Sequence, residues 1–216
     1  MRKAVIFDMD GVLADSQPFH FEVDQAVLAA CGHDVPLAVV QQYAGMSNPN
    51  RWAKYKADFA LAKSVEALIA LHVATIMARL DAAELQAIPG VHELLAMLKK
   101  RGLRLAVASS SSYDFIYKML DKIGIRDAFT HIVSGEDMQN SKPAPDIFLH
   151  AAKMLDCATE DCVVVEDSAS GVRASVAAGI ACVGYRNLNS GVQDLTGADW
   201  VVEDFAALVD AAEWLA

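Results

Sequence analysis

Short β-rich runs alternate with helical patterns along most of this chain, and that alternation predicts βαβ units closing into a parallel sheet. The candidate strands are residues 3–8, 103–109, 131–134, 162–166 and 181–185, with a weaker run at 200–202. Helical spacing covers 91–101, 113–123, 144–155 and 169–178, and Gly102, Gly124 and Gly179 stand where left-handed helix stops belong. One interval breaks the pattern. From about residue 16 to 84 only helical patterns occur, over 19–30, 37–43, 50–62 and 65–80. Roughly seventy helical residues between a first and a second strand far exceed what a crossover needs. The expected fold class is therefore α/β: a parallel-sheet core of residues 1–15 and 85–216, with residues 16–84 inserted as a helical subdomain. An insertion rooted beside the first strand end would overhang the crevice there as a lid does.

In open parallel sheets, ligands bind beyond the carboxyl ends of the strands. The first strand, Ala4-Val5-Ile6-Phe7, runs straight into Asp8-Met9-Asp10-Gly11. Two carboxylates spaced i, i+2 repel and are costly to desolvate unless a cation or proton joins them. The pair suggests a metal-assisted site with one carboxylate as nucleophile, against the plainer reading of a solvated Asp-Gly turn. Ser109-Ser110-Ser111-Ser112 places hydroxyls at a strand end and helix start, where free N–H groups favour anions. Ser111 or Ser112 would cap the helix while Ser109 binds phosphate. Lys142 precedes Pro143 and Pro145, whose rigidity fixes where the ammonium points; alone, the segment also reads as a surface lysine ahead of a helix. Glu166-Asp167-Ser168 repeats the opening grammar of apolar strand, carboxylates and helix start. Asp167 or Ser168 would serve as N-cap, or the acidic pair would supply oxygen ligands for Mg²⁺.

Net charge is −10 and the 18 Lys and Arg residues are scattered, which argues against nucleic acid or an anionic membrane as partner. A small anionic substrate remains compatible, because one metal and one lysine make a locally positive pocket. No apolar run approaches bilayer length, and four apolar residues after Arg2-Lys3 are too few for a secretory segment. Cys31, Cys157, Cys162 and Cys182 form no CxxC pair and read as free, buried thiols. A cytoplasmic location is expected.

FDMDGVLADS, VASSSS, SKPAPDIF and VVEDSASG, in that order, resemble the four motifs of the haloacid dehalogenase superfamily. The nearer likeness is to the branch holding β-phosphoglucomutase and small sugar-phosphate phosphatases. The resemblance spans nearly the whole chain and implies a Rossmann-like core with a four-helix cap. It further implies that Asp8 attacks phosphorus to give an aspartyl phosphate, and that Asp10 protonates the leaving oxygen, then activates water. Ser109 would bond the phosphoryl oxygens, and Lys142 would neutralise them and hold Asp8. Mg²⁺ would bind Asp8, the Asp10 carbonyl, Glu166 and Asp167. Ser110, His20, Asn48 and Arg51 are the candidates for contacting the rest of the substrate, His20 matching a cap-helix histidine of the branch. The chain departs from the mutase pattern where Gly45-Met46-Ser47 leads to Asn48 instead of arginine. It departs again where Ala44 replaces a cap lysine, and where Ser112-Tyr113 replaces lysine and asparagine. These departures favour a phosphatase over a mutase, and the expected protein is a Mg²⁺-dependent phosphatase of small phosphorylated metabolites, most of all sugar phosphates; a monomer is expected. A phosphosugar mutase is the alternative, and a non-catalytic phosphate-binding protein is a third reading.

Overall fold

The structure is a computed structural model that describes residues 1–44 and 46–216; Gly45, which opens the Gly-x-Ser step, lies outside them. Six parallel strands form one sheet: β1 (Ala4–Phe7), β2 (Arg104–Ser109), β3 (His131–Ser134), β4 (Cys162–Glu166), β5 (Ala181–Tyr185) and β6 (Trp200–Val202). Their spatial order is β3-β2-β1-β4-β5-β6, so β1 is central, with Phe7 level with Val107 on one side and Val165 on the other. Four consecutive apolar residues are all buried in β1, as a strand covered on both faces requires. On one face Ala4, Ile6, Ala106, Ala108, Cys162, Val164 and Cys182 meet Phe148, Ala151 and Val172 from α7 (Asp146–Met154) and α8 (Ala169–Ala178). The alanines of β2 leave room for the Phe148 ring.

Three further helices belong to this core, α5 (Val91–Lys100), α6 (Tyr113–Lys122) and α9 (Ala206–Asp210), and α5 packs against α9. All four cysteines are free; Cys162 and Cys182 are buried, whereas Cys31 and Cys157 are half-buried.

The chain divides into two compact units, Met1–Asp15 with Leu85–Ala216, and Ser16–Glu84. The second unit contains α1 (Gln17–Ala30), α2 (Leu37–Val40), α3 (Asn48–Asp58) and α4 (Val65–Leu80). Helices α1 and α3 both pack on α4 around Val27, Leu28, Trp52, Tyr55, Leu68 and Ile76. A buried polar group crosses this apolar interior: Asp24 takes Arg51 Nε at 3.0 Å and the Tyr55 hydroxyl at 3.1 Å, with His72 Nε2 at 3.5 Å. Where the segment joins the core, Asp15 N donates to Gln86 O at 3.1 Å and Ile88 N to Leu13 O at 3.0 Å.

Candidate active site

Parallel strands all end at the same edge of the sheet, and the central strands end there in the candidate site residues. Asp8 follows β1, and its backbone N–H still donates to Val165 O at 3.0 Å, so the carboxylate projects just past the last ladder rung. Glu166 ends β4 and Ser109 ends β2. Lys142 comes from the loop ahead of α7, where Pro145 occupies the cap position. Its ammonium lies 2.5 Å from Asp8 Oδ1, 2.8 Å from Glu166 Oε1 and 3.2 Å from Ala108 O, with the Phe148 ring centroid 4.8 Å away. All three of its protons therefore have oxygen acceptors.

The electrostatics are unbalanced. Asp8, Glu166 and Asp167 are 7%, 1% and 3% exposed, and Lys142 at 9% is the one buried lysine or arginine among the described residues. Burial pushes the Asp8 carboxyl up to about 7 despite the pull of Lys142, with Glu166 and Asp10 adding to the rise. Burial, then Glu166 and Asp8, hold Asp167 well above the usual carboxylate range. Burial works to discharge Lys142, but Asp8 and Glu166 outweigh it and raise its pKa. Three desolvated carboxylates against one ammonium leave an excess of negative charge, which protons or a cation must offset. The donors are all hard oxygens, the chemistry that suits a divalent cation such as Mg²⁺. Among the described residues no three His, Cys, Asp or Glu side chains already form a ready-made cation site. Glu166 turns both oxygens elsewhere: Oε1 to Lys142, and Oε2 to the Ser168 N–H and hydroxyl at 2.8 and 2.9 Å.

The serines divide their work. Ser109 is buried, and its Oγ accepts from Ser111 N at 3.1 Å. Ser111 then donates its hydroxyl to Asp10 Oδ2 at 3.0 Å, tying the second aspartate to the β2 loop. Ser110 is exposed. Ser112 takes the N-cap position of α6 but makes no side-chain capping bond; Glu136 instead accepts from Tyr113 N at 3.0 Å. Ser168 does cap α8, accepting from Gly171 N at 3.0 Å, which leaves Asp167 outside that role. Asp167 Oδ2 receives the Ser190 hydroxyl, and Asn187 Nδ2 donates to Gly11 O at 2.8 Å.

In the sheet-bearing unit, direct contacts thus join Asp8 and Glu166 through Lys142, and Ser109 and Asp10 through Ser111, while Asp167 bonds Ser190. The other candidates, His20, Asn48 and Arg51, stand in the helical unit, all half-buried. Arg51 is already engaged there: it forms an ion pair with Asp24 and donates hydrogen bonds to Asn48 Oδ1 and, at 3.4 Å, to Met46 O. Glu136, Asn187 and Ser190 have no sequence signal beyond being polar loop residues, because each acts on a partner far along the chain, and the bond from Ser111, expected as a cap, to Asp10 has none either.

The haloacid dehalogenase-like hydrolase family model matches residues 5–185 of this chain. The phosphorylated carbohydrates phosphatase of Thermotoga maritima is 32% identical over 178 residues, 82% of each chain. The β-phosphoglucomutase of Bacillus subtilis is 30% identical over 214 residues, covering 95% of this chain and 91% of that protein. CbbY from Rhodobacter sphaeroides has been solved with phosphate and, as a mutant, with xylulose-(1,5)bisphosphate. Both structures align at a TM-score of 0.81 with 26% identity, covering 96% of each chain. The chain belongs to the haloacid dehalogenase-like hydrolases. Within that family it stands close to the β-phosphoglucomutase, CbbY and sugar-phosphatase subfamily.

Proposed function

We propose that this protein is a Mg²⁺-dependent phosphatase of small phosphorylated metabolites, chiefly sugar phosphates, working through an aspartyl phosphate on Asp8. The observation that carries the reading is the buried Asp8 carboxylate, held through Oδ1 by Lys142 while Ser111 holds Asp10 nearby. The second Asp8 oxygen attacks phosphorus, and the bond to the ester oxygen breaks as Asp10 gives that oxygen a proton. Asp10 then takes a proton from water, whose oxygen attacks the same phosphorus and frees Asp8 and inorganic phosphate. Phosphoryl transfer leaves the protein mainly positioning and charge stabilisation to perform. Lys142 supplies positive charge and Ser109 a hydroxyl. Asp8, the Asp10 carbonyl, Glu166 and Asp167 would hold Mg²⁺, which when bound neutralises charge on the phosphoryl oxygens.

The sugar-phosphate class is supported by the phosphorylated carbohydrates phosphatase and by CbbY, whose structures hold phosphate and a sugar bisphosphate. Ser110, His20 and Asn48 are assigned to the remainder of the substrate. Arg51, neutralised by Asp24, is assigned to holding Asn48 and the Met46 carbonyl. The test is phosphate release from a panel of phosphorylated sugars, with and without Mg²⁺ after EDTA treatment, beside an isomerisation assay on β-glucose 1-phosphate. Release that vanishes with EDTA and returns with Mg²⁺ is expected. Rapid isomerisation with negligible phosphate release would overturn the reading in favour of a mutase.

A further inference from the structure

The loop after β5 inverts the usual logic of a surface connection. Its polar residues Asn187 and Ser190 are buried, at 7% and 3% exposure, while Leu188 and Val192 stand 87% and 103% exposed. A loop that merely joined two strands would keep its aliphatics inside and its amides in water. Here every buried polar side chain has a partner, and the partners lie in the active-site turns. Asn187 donates to Gly11 O, and its own Oδ1 accepts from Asn189 N at 2.8 Å. Asn189 Nδ2 reaches both Asp15 oxygens, at 3.0 and 3.1 Å. Ser190 donates to Asp167 Oδ2. Gln193 closes the arrangement, donating to Ser190 O at 3.0 Å and accepting from Ala169 N, the first residue of α8, at 3.2 Å.

The fit is close. Gly11 has φ +83°, and a Cβ there would lie 2.1 Å from Asp167 Oδ2 and 2.9 Å from Ser190 Oγ. The turn after β1, the Asp167 carboxylate and the loop are therefore packed against one another with no intervening space.

We propose that residues 187–193 are a positioning strap, in which Ser190 fixes the rotation of the Asp167 carboxylate so that its other oxygen is presented to the bound cation. This rests on the functional reading above. Ser190 touches neither substrate nor cation; it acts through Asp167. Hydrogen-bond partners behind a metal-binding carboxylate commonly set metal affinity by one to two orders of magnitude.

The experiment titrates Mg²⁺ alone into the full-length protein by isothermal calorimetry and measures phosphate release across Mg²⁺ concentrations. Ser190→Ala should weaken Mg²⁺ binding about tenfold, and Gln193→Ala, which loosens the strap from outside, about threefold. At saturating Mg²⁺ both should regain at least half the wild-type release rate, which a general loss of structure would not allow. Val192→Ala, on the bare side of the loop, should match wild type. Wild-type Mg²⁺ affinity in both Ser190→Ala and Gln193→Ala would overturn the strap while leaving the phosphatase reading standing. Should Ser190→Ala not fold, Gln193→Ala decides alone. A wild-type protein that binds no Mg²⁺ would overturn the functional reading, and the strap with it.

Discussion

Asp8 and Glu166 both accept from Lys142, and Gly171 leaves the Glu166 carboxylate its room. Asp8→Asn keeps the shape of the side chain but removes its charge and its nucleophilic oxygen pair. Phosphate release should fall by roughly four orders of magnitude or more, as for other nucleophile deletions, with the circular dichroism spectrum unchanged. Release within tenfold of wild type would rule out Asp8 as nucleophile. Gly171 is less obvious. It lies in the first turn of α8, where alanine ordinarily stabilises a helix by about 0.5–1 kcal/mol relative to glycine. Here a Cβ would sit 1.7 Å from Glu166 Oε1, so the gain in helix propensity is outweighed by a clash with a buried carboxylate. Overpacking of this kind costs about 1–3 kcal/mol, and the atom displaced is the one that holds Lys142. Gly171→Ala should therefore lower the melting temperature and reduce phosphate release at least tenfold. A more stable variant with full activity would show that Glu166 can move without consequence.

Among the elements, the helical unit carries the least expected feature. A near-continuous apolar face on α4 is interrupted by His72, 2% exposed and packed with its ring 5.6 Å from Trp52. Burial, helped by the charges of Arg51 and His20, pushes its pKa down to about 3. The unfolded chain, with an ordinary histidine, binds the extra proton between about pH 6.5 and 3. His72 therefore supports the fold in full above about pH 6.5, and that support drains away as pH falls. The Asp24 carboxyl works the other way, since burial holds it above its usual range. Comparing wild type with His72→Phe isolates the histidine: the wild-type urea midpoint should drop more between pH 7 and 5 than the variant's. Equal drops would show that His72 is protonated in the folded state. Strands were the most legible elements, because a buried parallel strand is an unbroken apolar run with a carboxylate or serine as its full stop. Thus 162–166 is placed by its three valines and 181–185 by its short apolar run, and Glu166 by the end of the first. Helix ends were less so. The expected 50–62 becomes Asn48–Asp58, since Pro49 suits a first turn and Ala60, at φ 51°, leaves the helical region. Nor could the Asp24–Arg51 pair be read from the sequence, where the two residues lie on different helices and each looks like a solvated face.

The whole molecule is one chain crossing twice between two compact units, and both crossings are fastened together on the sheet side. Ala14 bridges Ala87, and Asp15 N bonds Gln86 O, so the ends left by removing residues 16–84 are already neighbours. Replacing those residues with a short Gly-Ser linker should yield a core that unfolds cooperatively in urea; a gradual, non-cooperative melt would show that the core depends on the helical unit for its stability. The strand order has a further consequence, for the sequence of events by which the protein is made. β1 is the first strand to leave the ribosome, yet it lies between β2 and β4 and pairs only with residues 104–107 and 162–165. It cannot pair with β2 until residues 104–107 have been made, nor with β4 until residues 162–165 have, and long-range pairings of this kind are slow to form. Asp8 is thus translated ahead of β2 and β4 and enters its final surroundings only after both have been made. A nascent chain cut short before β4 would hold Asp8 with neither of the two carboxylates, Glu166 and Asp167, that complete its setting.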